Sequence, residues 1–206
     1  MAILALDTCL SALTIALETD SGEVVSISEE IGVGHAERVA PRCMALLDEA
    51  GIKASALTRI GVTTGPGSFM GQRVGIAFAK GLALGSGAAT VPMTTLEALA
   101  AGEPGPSLVL LDARRGQVYA QAFAADGTAA SDARLVSYEE GKALLDQGHR
   151  PLGTGVLAVD PAHEAPQRLV PSSSTLLALT KDKPAAPLKT VYLRAPDAKP
   201  PAHAPL

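Results

Sequence analysis

Tryptophan is absent from these 206 residues, and aromatic side chains together make up 3% of them. So few rings offer no extended platform for stacking the bases of a single-stranded nucleic acid, and they suit α/β packing better than an aromatic-rich sandwich. Cysteine is scarce too: Cys9 and Cys43 are too few for a disulfide framework and match no zinc spacing, so two buried free thiols are expected. No apolar run approaches the roughly 20 residues that span a bilayer. Met1-Ala2-Ile3-Leu4-Ala5-Leu6 has no basic leader and reads as a strand, so no signal peptide and no membrane contact are expected, and the cytoplasm is the expected location. Nor is there an excess of positive charge. Lys and Arg number 17 against 21 Asp and Glu, a net -4 with a pI near 5.6. That balance argues against gripping a phosphate backbone unaided, and leaves any nucleic acid to a partner.

Apolar residues, in contrast, are plentiful at 47% of the chain, enough to bury the core of one domain or two small ones. The chain is organised around Thr63 to Gly85. Arg59 to Thr64 reads as a strand, because β-branched residues dominate and Gly65-Pro66-Gly67 stops it. In the helix that follows, Gly71, Gly75, Ala79 and Ala83 recur four apart as a ridge of small residues, beside a bulkier stripe of Met70, Val74, Phe78 and Leu82. Each such glycine costs about 1 kcal/mol of helix propensity relative to alanine, so a backbone is expected to come close, from the sheet or from another helix.

Upstream, three antiparallel strands are expected at Ile3–Leu6, Leu13–Glu18 and Glu23–Ser28, then an amphipathic helix from His35 to Ala50 with Val39, Cys43, Leu46 and Leu47 on its apolar face and Gly51 as its stop. A strand near Ala89–Pro92 and a helix to Ala101 lead to the linker Gly102-Glu103-Pro104-Gly105-Pro106. The plan then repeats. Leu108 to Asp112, a turn through Arg114-Arg115-Gly116 and Gln117 to Ala124 match Leu4 to Asp7, a turn and Leu13 to Glu18, each with an Asp at the mouth of a hairpin. A strand at Arg134–Val136, a helix at Glu139–Leu145, a Gly153-Thr154-Gly155 turn and a helix at Ser174–Thr180 complete the second half. Two duplicated α/β lobes are therefore expected, residues 1–104 and 105–194, with an Ala- and Pro-rich mobile tail over 195–206.

The motifs that would carry chemistry are incomplete. The glycine loop lacks the Gly-Lys-Ser/Thr of a Walker A loop, its Gly65/Gly67/Gly71 spacing is one residue too long for a dinucleotide fingerprint, and no acidic residue ends the next strand. A tight structural turn is the better reading. Asp7 and Asp112 either ligate a metal on a nucleotide phosphate or cap their hairpins through backbone N–H groups. His35-Ala36-Glu37 has no second cysteine to make a deaminase zinc site, and no pair among His35, His149, His163 and His203 has ligand spacing, so no metal, cofactor or catalytic set is expected.

Ile3 to Thr8, Gly65-Pro66-Gly67-Ser68-Phe69-x-Gly71-x-Arg73-Val74-Gly75, Asp112-Ala113-Arg114 with Val118-Tyr119, and Tyr192-Leu193-Arg194 come in the order of the TsaB/YeaZ family, which this sequence resembles over nearly its whole length. The resemblance implies the actin-like ATPase, or ribonuclease H-like, fold: mixed sheets flanked by helices. It implies a non-catalytic subunit that pairs with a catalytic TsaD-type subunit, joined by a TsaE-type ATPase, to place threonylcarbamoyl on adenosine 37 of ANN-decoding tRNAs. The tRNA would be touched only through the complex. It also leaves Asp7, Thr8 and Asp112 as a vestigial phosphate site. A partner surface is expected on His35, Val39, Cys43, Leu46, Phe69, Met70, Gly71, Arg73, Val74, Gly75, Ala77 and Phe78, available to a second copy when the chain is alone. Met70 stands where the family has Thr, Gln72 where it has Leu, Cys9 where it has Ser and Gln117 where it has Glu. The lost hydroxyl and carboxylate weaken nucleotide chemistry. The rival is an active kinase or ATPase of the same superfamily using Asp7 and Asp112; a metallopeptidase would need a His pair the sequence lacks.

Overall fold

A computed structural model describes residues 1–166 and 168–194. The first sheet contains β1 (Ala2–Asp7), β2 (Ala12–Glu18), β3 (Val24–Glu30), β4 (Leu57–Thr63) and β5 (Ala89–Met93), in the order β3-β2-β1-β4-β5. Its β1–β2 and β2–β3 pairs are antiparallel, while β4 and β5 run parallel to β1. The second sheet repeats this with β6 (Ser107–Asp112), β7 (Gln117–Phe123), β8 (Arg134–Ser137) and β9 (Arg150–Leu152), ordered β8-β7-β6-β9 with β9 parallel to β6. This is the duplicated mixed sheet that the repeat in the sequence leads one to expect. β1 is buried at every position and β6 at all but its last, which explains their unbroken apolar runs: a strand covered on both faces has no polar side to alternate. β3 lies at the sheet edge and alternates exposed with half-buried positions.

The helices are α1 (His35–Glu49), α2 (Phe69–Ser86), α3 (Thr95–Ala100), α4 (Tyr138–Leu145), α5 (Val156–Val159) and α6 (Ser173–Asp182). β1 shows how the layers form. Leu4 and Leu6 point to one face and pack with Val39, Cys43, Leu46 and Leu47 of α1 and Ile76 and Ala79 of α2. Ile3 and Ala5 point to the other and meet Leu176 and Leu177 of α6. In the second lobe, Leu145 of α4 and Val156 and Val159 of α5 cover one face through Leu108, Leu110, Val118 and Val136. The other face, with Val109, Leu111, Phe123 and Leu152, is covered by Leu96, Leu99 and Ala100 of α3.

The last helix of each half therefore crosses to the other half's sheet. The lobes expected at 1–104 and 105–194 are not separate cores: the sheets divide at the linker, and α3 and α6 exchange. From α6 to Val191 the chain stays on the first lobe, where Ala186 N–H donates to Thr90 O at 2.9 Å, Val191 N–H to Thr64 O at 2.8 Å, and Leu188 is buried in the first core. The linker is pinned as well. Glu103 pairs with Arg150 at 3.3 Å and Arg168 at 2.9 Å, and Arg168 also donates to Leu99 O and Ala101 O at the end of α3. A capping box starts α3: Thr94 Oγ1 accepts from Glu97 N–H, and Glu97 Oε2 accepts from Thr94 N–H. Residues 195–206, read above as a mobile tail, lie outside the described residues.

Among the described residues, β9, α5 and a single 3-10 turn at Ala54–Ala56 carry no advance signal. β9 is three residues long and contains Pro151, which is tolerated because β9 is an edge strand. α5 is four residues long, too short to show a period.

The packing of α6 on the sheet depends on Gly61 in β4. A Cβ there would run into Thr180 Oγ1 and lie 2.9 Å from Met93 Cε. Gly61→Ala is expected to destabilise the chain by about 2 kcal/mol, as overpacked cores do, measured by urea unfolding. Adding Thr180→Ala should recover part of that loss, whereas equal stability of Gly61→Ala and the parent would contradict this packing.

Candidate functional site

One hairpin aspartate, Asp7, lies beside the N-terminal half of α2, and the other, Asp112, closes β6 in the second sheet. Asp7 closes β1 and is 0% exposed. Its Oδ1 accepts the Thr63 hydroxyl from the end of β4 and, at 3.1 Å, the Cys9 N–H two residues on, an Asx turn that caps the hairpin. Thr63 Oγ1 also lies 3.2 Å from Cys9 Sγ. The glycine loop seals this knot. Ser68 N–H donates to Cys9 O at 2.7 Å, a Cβ on Gly67 would strike Cys9 O, and Gln72 Nε2 reaches back to Gly67 O at 3.1 Å. Thr8 Oγ1 donates to Gly71 O at 2.7 Å, and any Cβ on Gly71 or Gly75 would collide with Thr8.

In the second lobe Asp112 repeats the cap. Its Oδ1 accepts from Arg114 N–H and from Tyr138 Oη, each at 2.9 Å, its N–H donates to Thr154 Oγ1 at 3.2 Å, and Arg114 pairs with Oδ2 at 3.6 Å. The turn beyond has positive φ at Arg114 (62°), Arg115 (56°) and Gly116 (73°), the left-handed backbone of tight primed hairpins.

Of the two roles open to the aspartates, the geometry is that of hairpin caps. A phosphate-bound cation would need Asp7 oxygens that open to solvent and a loop with room above them. Asp7 is closed off, with Oδ1 engaged twice, Oδ2 buried without a partner and Gly67 lying against Cys9, so Asp7 does not fit a metal–nucleotide complex in this arrangement. Among the described residues no group of three or more His, Cys, Asp or Glu is placed to hold a metal. Burial pushes the Cys9 and Cys43 thiols up to about 12, which makes them inert, as buried free cysteines are.

The residues expected to face a partner divide in two. His35, Val39, Cys43 and Leu46 lie in this chain's own core, because the apolar face of α1 is spent on its own sheet. Gly71 and Gly75 are buried against the β1–β2 turn. These six are corrected from partner contacts to internal ones. Val74 and Phe78 are half-buried against the first core. Phe69 (54% exposed), Met70 (64%), Arg73 and Ala77 point outward, joined by Met44 (52%) and Leu84 (90%), which the sequence did not single out. The small ridge is thus the inward face of α2. Sequence reasoning also missed Gln72 and Thr63 as the groups that close the knot; a lone polar residue in a helix gives no sign of which way it turns.

Desolvation raises the Asp7 carboxyl above its ordinary value, against the opposing hydrogen bonds of Thr63 and Cys9. A carboxyl raised in the folded state stabilises it fully below the unfolded value of about 4, and that contribution is lost as pH rises through the folded value, at up to about 1.4 kcal/mol per pH unit. Urea unfolding across pH should therefore show the parent losing stability relative to Asp7→Asn as pH rises from about 4. Parallel curves for the two proteins would contradict it.

Three comparisons with known proteins bear on this site. Residues 27–163 match a family model described as TsaD: tRNA N6-adenosine threonylcarbamoyltransferase. An uncharacterized protein of Mycobacterium tuberculosis is 33% identical over 208 aligned positions, covering 96% of this chain and 94% of that protein. The tRNA threonylcarbamoyladenosine biosynthesis protein TsaB of Escherichia coli is 37% identical over 124 positions, 58% of this chain and 53% of that protein. Among solved structures, YeaZ from Pseudomonas aeruginosa superposes with a TM-score of 0.74 at 29% identity, covering 87% of this chain and 90% of that one. A Pseudomonas aeruginosa protein described as similar to peptidase YEAZ reaches a TM-score of 0.80 at 29% identity, over 94% of this chain and 99% of that one. On the family model over residues 27–163 and on these relatives, the chain belongs to the TsaD family, in its TsaB/YeaZ branch.

Proposed function

We propose that this chain is the non-catalytic subunit of a tRNA N6-threonylcarbamoyladenosine assembly, pairing with a TsaD-type catalytic subunit and a TsaE-type ATPase in the cytoplasm. The observation that carries this reading is the closure of Asp7. The position at which an actin-like ATPase would meet its phosphates is filled by the chain's own Thr63, Cys9 and Gly67. A fold of this class without an open phosphate site keeps its shape as its remaining asset, and the relatives named TsaB supply the pathway. Neither nucleotide nor metal is required by the chain itself.

The outward residues of α2 supply the contact. Met70, Ala77 and Leu84 fall seven apart on one helix face, and Met44 adds to it from α1. A paired helix face of this kind on the catalytic homologue would form a small bundle with it, and a second copy of this chain would take its place when that subunit is absent.

Depleting the chain in its own cells is expected to lower N6-threonylcarbamoyladenosine in tRNA, read by nucleoside analysis; unchanged levels would exclude the role. Met70→Glu and Leu84→Glu should each weaken capture of the TsaD-type subunit by about 2 kcal/mol, roughly 30-fold, with an unchanged melting temperature because both side chains are exposed. Full binding by the folded double variant would move the contact elsewhere.

A further inference from the structure

Beside the start of α2, arginines and half-exposed rings line up across both lobes. The Arg73 guanidinium lies 3.7 Å over the Phe69 ring, and its Nε donates to Tyr192 Oη at 3.2 Å. The Phe69 and Tyr192 rings stand 6.0 Å apart, tilted by 31°, and are 54% and 48% exposed. Two residues on, Arg194 Nη2 donates to Gln117 Oε1 at 2.8 Å and to Arg114 O at 3.3 Å, which joins the strip to the β6–β7 turn and the exposed Arg114 and Arg115. Within this strip Asp112 pairs with Arg114 at 3.6 Å. Among the described residues, neither Arg73 nor Arg194 meets a carboxylate.

We propose that this strip is an RNA contact surface, on which unpaired bases of a loop stack on Phe69 and Tyr192 while phosphates lie against Arg73, Arg194 and Arg114. Composition pointed away from this, with few rings and a net charge of -4. The fold overrides that average locally, by bringing residues 69, 73, 114, 192 and 194 to one place. A tie that merely held 192–194 to α2 would bury its rings. Here the Phe69 and Tyr192 rings stay about half exposed although Arg73 covers one face of Phe69, and guanidinium and ring alternate, the pattern that suits a polymer with a π face and a phosphate at every step. The strip borders the Met70 face, so RNA and a protein partner could be held side by side. The inference rests on the tRNA role proposed above and gives this chain a direct part in it.

The test is fluorescence anisotropy of the full 206-residue chain with a labelled anticodon stem–loop RNA, against a fully paired duplex and a polyglutamate peptide. The stem–loop is expected to bind more tightly than the duplex, with affinity falling as salt rises. Arg73→Gln and Arg194→Gln should each flatten the salt slope by about 0.7, the value for one single-strand phosphate contact. Tyr192→Ala should weaken stem–loop binding several-fold and leave the slope alone. Arg114→Gln, at a side chain 86% exposed, keeps the test valid if a variant at 73 or 194 melts early. Stem–loop binding that is absent, unchanged in Arg73→Gln and Arg114→Gln, or matched by polyglutamate overturns the proposal. Nucleoside levels in depleted cells report on the subunit role independently, so either idea can fail alone.

Discussion

The contact of α2 with the β1–β2 turn is the constraint from which the rest of the first lobe follows. Gly71 and Gly75 have no room for a Cβ, because Thr8 fills the space and holds the helix through its hydroxyl on Gly71 O. Once that face is committed inward, the helix has a single rotation available to it. Val74, Phe78 and Leu82 then turn towards the first core, and Met70, Ala77 and Leu84 are left for solvent or a partner. The same contact brings the glycine loop down on Cys9 and buries Asp7. The buried aspartate and the outward helix face are two results of one close approach.

How much of this was legible depended on the length scale of each signal. The strands β1 and β6 could be read because each is a continuous apolar run that needs no neighbour to explain it. α1 was legible because its apolar positions recur every three to four residues over fifteen. Reading its apolar stripe as a docking face failed for a physical reason: amphipathicity shows that a helix covers something, and the nearest thing to cover is its own sheet. The ridge in α2 posed the same ambiguity, and only the position of Thr8, some sixty residues upstream in sequence but in contact in space, decides it. The members of the strip from Phe69 to Arg194 stand in three separate motifs, but nothing local showed that they come together, since most of the chain separates them.

The duplication reaches further than the strands. In the first lobe β4 leads through Gly67, pressed on Cys9 O, into α2; in the second, β9 leads through Gly153, whose Cβ would strike Leu110 O, into α5. Both lobes thus press a glycine loop on their first hairpin or its strand. The copies diverge in what comes next: eighteen residues of helix in α2, and four in α5. The second lobe keeps the brace and omits the long helix, which leaves the outward helical face to the first lobe.

The exchange of α3 and α6 has a consequence for how the chain is made. While the first hundred residues leave the ribosome, the sheet of β1, β2 and β4 can gain α1 and α2 on one side, but on the other Ile3, Ala5, Ala16 and Met93 meet only Ala98 of α3 from their own half. Leu176 and Leu177, which complete that cover, are translated only after the whole second sheet. Over that interval Leu96 and Leu99 of α3 are likewise waiting for Val109, Leu111 and Phe123. Neither lobe can finish before the other, so the nascent protein carries bare apolar surface until α6 has been made, and completion of the two cores is a single event rather than two.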